Sequence, residues 1–215
     1  MKLGFFGPMK TLDSAKTRLE ELPDGRLRAT IEHETMQGVT PEMLVWWFEN
    51  SDGFTTWNGT DFSGTPVPVY RYWHPYDHIK TRWVKPVKRA DGHLAPGSVL
   101  EIQENIGGVH EVRIRARVTR FDDRAFDFEL ALGGILRAGV LEHRYAPVDG
   151  GSSFTTCLCV GSTLPVVGPW LTRLVRKLRI SEPMVRDWLL HNVEESGETE
   201  KFVPTLFAEA GRRAT

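Results

Sequence analysis

Between Ser98 and Ser162 the chain reverses at short, regular intervals, and this constrains its fold more than any other feature. Gly107-Gly108, Asp122-Asp123, Gly133-Gly134 and Asp149-Gly150-Gly151 separate strand-like stretches at about 98–106, 109–121, 124–132, 136–147 and 152–161. Connections this short join neighbouring strands that run in opposite directions, so the region predicts an antiparallel meander. The last fifty residues are helical in character, first Pro169 to Arg179 and then Ser181 to about Ala210, with Gly197 and Pro204 as candidate breaks. A curved antiparallel sheet covered by a long C-terminal helix is the helix-grip arrangement, an α+β fold whose concave face and helix enclose a pocket.

Upstream, Arg28 to Met36 reads as a first strand. Thr40-Pro41-Glu42 supplies an N-cap, a proline at the first helical position and an early acid, and Met43-Leu44-Val45-Trp46-Trp47-Phe48 follows as helix. Ser51 to Pro68 reads as loop. At 215 residues the chain fits one domain, with residues 1–39 as an N-terminal extension and first strand ahead of a helix-grip domain at 40–215.

Composition excludes several function classes. A formal net charge of −1 lacks the basic excess that phosphate binding needs, so no nucleic-acid partner is expected. Cys157 and Cys159 share one face of a strand and cannot bridge without strain, which suits buried thiols in a reducing compartment. Glycine and proline break Met1-Lys2-Leu3-Gly4-Phe5-Phe6-Gly7-Pro8 before a signal-peptide core could form, and no stretch has the length of a transmembrane helix. A cytoplasmic protein is expected. Arg173, Arg176, Lys177 and Arg179, beside Trp170, Leu171, Leu174 and Val175, suit either a solvated helix end or a membrane-surface helix; the first is preferred, and no membrane partner is expected.

Strand alternation places Glu104 on the apolar face of Leu100, Ile102 and Ile106, where a carboxylate is costly unless a cation or strong donors receive it. By the same rule His143 sides with Leu141 and Tyr145, and His110 with Val112 and Ile114. On the long helix His191 and Glu195 stand one turn apart on the stripe of Met184, Trp188 and Phe202, while Glu194 reads as a solvated neighbour. The segment Tyr70-Arg71-Tyr72-Trp73-His74-Pro75-Tyr76-Asp77-His78 is dense in aromatic and titratable groups. One inward glutamate, one His–Glu pair and one histidine of this segment can meet in a single pocket. Two imidazoles and two carboxylates suit Zn²⁺, with Mn²⁺ or Fe²⁺ as weaker fits.

In family order, these segments resemble the diacetylphloroglucinol hydrolase family, which includes phloretin hydrolase. The matching stretches are Met43–Phe48, Tyr70–His78, Glu104-Asn105-Ile106-Gly107-Gly108, His191-Asn192-Val193-Glu194-Glu195 and Phe202-Val203-Pro204-Thr205-Leu206-Phe207. The resemblance implies a Bet v 1-like fold, a zinc ion held by His78, Glu104, His191 and Glu195, and hydrolysis of a carbon–carbon bond between an acyl group and a phenolic ring. His74 is the rival for the loop position; His78 is preferred because the family places a tyrosine eight residues before its ligand, as Tyr70 stands here. The resemblance also puts the family's pocket histidine at His143, a candidate proton shuttle, and lets Tyr70 hold a ring hydroxyl, with Trp46, Trp47 and Trp73 as walls or core. Thr81 stands where the family has a substrate-binding asparagine, and Leu158-Cys159 where it has a tyrosine. The expected partner is a small aromatic acyl substrate, with a homodimer open as an alternative to a monomer.

Overall fold

The computed structural model describes residues 2–132, 136–178 and 180–214. The Gly133-Gly134 turn and Arg179 lie outside the described residues. Eight strands form the main sheet: β1 (Ala15–Glu21), β2 (Leu27–His33), β3 (His78–Lys85), β4 (Val99–Ile106), β5 (His110–Phe121), β6 (Ala125–Leu132), β7 (Leu136–Val148) and β8 (Gly151–Val160). They pair antiparallel in the order β1-β2-β8-β7-β6-β5-β4-β3, and the two-residue strand Met36–Gln37 adds to β8. The helices are α1 (Pro41–Asn50), the single turn α2 (Tyr70–Trp73), α3 (Gly168–Leu178) and α4 (Glu182–Ala214).

The meander and both C-terminal helices lie where the sequence predicts them. Two strands were not anticipated. β1 is amphipathic only weakly and pairs along β2, so residues 15–33 belong to the same sheet as the remainder. β3 begins at His78, which the sequence places in a loop; its exposed Ile79 and Lys80 blur the alternation expected of a strand.

Local chemistry explains the helices. Thr40 Oγ1 accepts the Met43 amide at 3.3 Å and caps α1, and Leu44, Trp47 and Phe48 form its buried face. Trp47 packs edge-on against Trp73 and Phe202, with ring centroids 5.4 and 5.0 Å away, which docks α1 on α2 and α4. Pairs of this kind add about 1 kcal/mol each beyond area burial. α4 runs unbroken through Gly197 and Pro204. Gly197 serves packing: a Cβ there would stand 2.6 Å from Lys10 Cγ, so its absence lets the N-terminal segment cross the helix.

Candidate metal centre

The concave face of the sheet, α3 and α4 enclose a cavity of about 740 Å³. Most of its wall is apolar, including Leu100, Ile102, Phe128, Leu141, Leu158 and Trp188. Glu104, His143, His191 and Glu195 are among the titratable groups of that wall, together with Tyr70, Glu111 and Arg113.

Backbone geometry brings them together. His78 and Glu104 are direct cross-strand partners of β3 and β4, and a register shift between His78 and Lys80 marks a bulge beside them. Bulges commonly re-aim side chains at sites of this kind. From the other side, α4 presents His191 and Glu195 one turn apart. The ligand atoms of His78, Glu104 and His191 all lie within 4.8 Å of one another. His78 Nε2 is 3.6 Å from Glu104 Oε1 and 3.1 Å from Glu195 Oε2, which is itself 3.7 Å from His191 Nε2. Tetrahedral zinc with bonds of about 2.1 Å sets its donor atoms about 3.4 Å apart, close to these separations.

The outer nitrogens of both imidazoles are occupied. His78 Nδ1–H donates to the Tyr70 carbonyl at 2.8 Å, and the Tyr70 ring stacks on the imidazole at 3.8 Å. His191 Nδ1–H donates to Asp77 Oδ2 at 3.0 Å. Asp77 in turn accepts the Gly107 amide at 2.9 Å, from a turn in which Gly107 and Gly108 both take positive φ. These bonds leave both Nε2 atoms facing the carboxylates. His78 Nε2 is buried and has no aligned hydrogen-bond partner despite the nearby Glu195 oxygen. A bare imidazole lone pair set against carboxylate oxygens is repulsive, and a cation between them relieves it.

The electrostatics agree. Burial pushes the His78 imidazole down to about 3, with the attraction of Glu104 opposing and the neighbouring histidines reinforcing. Burial also lowers His191, but Glu195, the Asp77 hydrogen bond and Glu104 outweigh it and raise the group to about 9. Without a divalent ion, then, a proton on His191 is the positive charge that the carboxylates hold. Burial raises Glu195, and His191 opposes that rise. Burial also would raise Asp77, yet hydrogen bonds from His191 and Gly107 hold it well below the usual carboxylate range. Burial and the Glu104 charge keep the Tyr70 phenol protonated, and its hydroxyl donates to Glu104 Oε1.

His74 lies close by but is fully engaged. Its Nδ1 accepts the Asp77 amide at 3.0 Å and its Nε2–H donates to Glu194 at 3.0 Å. Glu194, expected in solvent, is buried and also receives Lys2 Nζ at 2.8 Å. His143 donates Nδ1–H to the Phe126 carbonyl at 2.8 Å, which leaves its Nε2 as a lone pair; burial lowers its basicity.

Other candidates lie elsewhere. His110 bonds Asp187 at 3.1 Å, outside the cavity wall. Tyr145, which shares the strand face of His143, donates its hydroxyl to the Asp122 carbonyl. Thr81 Oγ1 donates to the Glu101 carbonyl, and Leu158 is plain apolar wall. Trp73 lines the cavity, Trp47 is core, and Trp46 packs on Phe207. Sequence reasoning missed Asp77 as a support for His191 and Asn192 as a donor to Glu195 Oε1. Adjacency to His78 and His191 was the one available signal for each.

No family model matches the chain, and no curated protein matches it in sequence. Solved structures do. Ara h 8.0201 is 13% identical with a TM-score of 0.52, over 84% of this chain and 99% of that one. A START superfamily protein from Mycobacterium smegmatis is 14% identical with a TM-score of 0.45, over 80% and 94% of the two chains. CalU16 from Micromonospora echinospora is 13% identical with a TM-score of 0.40, over 89% and 97%. At these identities the likeness concerns the fold alone, a Bet v 1/START-like helix grip.

Proposed function

We propose that the chain is a zinc-dependent hydrolase that cleaves the carbon–carbon bond between an acyl group and a phenolic ring or a β-diketone-like carbon. The observation that carries this reading is the buried His78 Nε2, without a hydrogen bond and turned toward the oxygens of Glu104 and Glu195. His78, Glu104, His191 and Glu195 would hold the ion; their two nitrogens and two carboxylates match its preferences and charge. The resemblance to the diacetylphloroglucinol hydrolase family, carried by the same residues, supports the choice of reaction. A divalent ion held there supplies Lewis acidity to a ketone oxygen and to water.

The chain's own groups supply the rest. His143 presents a neutral Nε2 to the cavity, so it can take a proton from water and return it to the ring carbon. The water oxygen adds to the acyl carbon, the carbon–carbon bond breaks with its electron pair on the ring carbon, and that carbon receives the proton. The products are a carboxylic acid and the deacylated ring. Tyr70 fixes Glu104 through its hydroxyl and His78 through its carbonyl, and its oxygen can also accept from a ring hydroxyl. Trp73 and Phe48 offer aromatic faces to the substrate. The unpaired thiols of Cys157 and Cys159 suit a cytoplasmic setting.

Elemental analysis of untagged protein should find about one zinc per chain, and His191→Ala should remove both metal and release of carboxylic acid from an acylphenol while the fold persists. A His191→Ala protein with full zinc and full turnover would overturn the reading. The apolar wall, with Thr81 and Leu158 offering no phenol or amide, favours a second one: a module that holds a hydrophobic small molecule, or a metal-free cyclase-like enzyme. Metal-free protein carrying stoichiometric ligand would favour the module, and chelator-resistant turnover the cyclase.

A further inference from the structure

The segment from Leu164 to Leu178 is unlike the remaining surface. Val166 is 95% exposed, Trp170 64% and Leu178 60%, with Leu164 and Val167 about half exposed. The segment contains no Asp or Glu but carries Arg173, Arg176 and Lys177, with Arg179 next in sequence. Arg176 is engaged, 3.0 Å from Glu21 and donating to the Gly25 carbonyl. Arg173 and Lys177 are exposed and have no acidic partner among the described residues. Trp170, Arg173 and Lys177 follow the helical repeat and form one outward face of α3, while Thr172 and Val175 are buried beneath it. Val166 also has a φ of 64°, a left-handed conformation that β-branched residues seldom take, at the tip of this apolar loop. An exposed, strained valine beside an exposed tryptophan and unpaired cations has no rationale within the fold itself.

We propose that this face docks on an anionic lipid surface, with Val166, Val167 and Trp170 at the headgroup boundary and Arg173 and Lys177 against anionic headgroups. Apolar and aromatic side chains beside a cationic, acid-free face fit the physics of interfacial helices. Because no described helix is long and apolar enough to cross a membrane, α3 would lie on the surface. A second copy fits less well, because a two-fold contact through this face would set Arg173 and Lys177 against their own equivalents. The position has a consequence for the cavity. Leu174, Val175 and Leu178 of the same helix form part of its wall, so the helix that docks is also one wall of the cavity.

Co-sedimentation of the full chain with phosphatidylcholine vesicles, with and without phosphatidylserine, tests this. Binding is expected to the phosphatidylserine vesicles and to weaken steeply with added salt. Arg173→Gln with Lys177→Gln should weaken it about 25-fold, from about fivefold per cation, and Trp170→Ala severalfold. All three positions are exposed, and circular dichroism verifies that the variants keep their fold. The proposal is overturned by no binding to either vesicle, by binding that ignores both lipid charge and the double variant, or by self-association through this face without lipid binding.

Discussion

Two histidine–glutamate pairs lie side by side between the 74–78 segment and α4 and have opposite fates. His74 and Glu194 are joined by a hydrogen bond, and each has a further partner, the Asp77 amide for His74 and Lys2 for Glu194. His78 and Glu195, next along the segment and the helix, lie 3.1 Å apart without an aligned hydrogen bond, and the buried His78 Nε2 makes no hydrogen bond. Residue type and burial are the same in both. What differs is whether the hydrogen-bonding capacity is used up within the fold, and the pair with capacity left over is the one proposed to receive the ion.

The largest expected effect separates the pairs directly. His78→Ala should lower zinc affinity by about a hundredfold or more, as one of the four ligands proposed above, while His74→Ala should leave zinc stoichiometry intact. Isothermal titration of chelator-treated protein reads both. Equal losses in the two variants would mean that the pairs act as one site.

A second contrast is between proton and metal at His191. Its folded pKa of about 9 lies above the ordinary 6.5, so in metal-stripped protein its stabilising contribution is complete below pH 6.5 and is lost as pH rises through 9. The loss is on the order of 3 kcal/mol. His78, held down to about 3, works in the opposite sense and costs stability as pH falls below 6.5. Urea unfolding of stripped protein between pH 6.5 and 9 should show the decline, and zinc-loaded protein should not, since the ion keeps the imidazole neutral. A stripped protein equally stable at both ends would contradict the assignment.

Asp77 stands between the pairs, accepting from His191 while its amide serves His74. Asp77→Asn keeps the shape but weakens acceptance from the His191 ring, and metal affinity should drop by about 10- to 100-fold. His74, which relies on the Asp77 backbone amide, should keep its hydrogen bonds, and at equal free zinc the variant should unfold at lower urea, by the loss of about 1.4–2.7 kcal/mol that this drop in affinity carries.

Much of the architecture could be read from the chain because turn residues and period-two alternation are local signals: Gly107-Gly108 and the Leu100–Ile106 alternation need no tertiary knowledge. The same alternation put Glu104 on the cavity side. β1 and β3 were not legible, since edge strands face water along one side and Ile79-Lys80 break the pattern with a bulge. Asp77 and the Glu194 network were illegible for a different reason. Their roles depend on partners far off in sequence, His191 for one and Lys2 for the other, and a glutamate one residue from a functional one looks solvated until the helix is docked.

The smallest effect tests whether the satisfied pair is truly separate. Burial would raise Glu194, yet hydrogen bonds from His74 and Lys2 hold it low, so the carboxylate is charged and depends on those two donors. Lys2 is partly exposed, with 39% of its side chain accessible, so solvent screens its share. Lys2→Ala should therefore cost about 1 kcal/mol or less in urea unfolding, and the cost should shrink as salt is added. His74 remains to donate to Glu194, so zinc content should not change. If Lys2→Ala reduced zinc binding as well, the charge of Glu194 would be reaching His78 through His74, and the two pairs would be parts of one electrostatic unit.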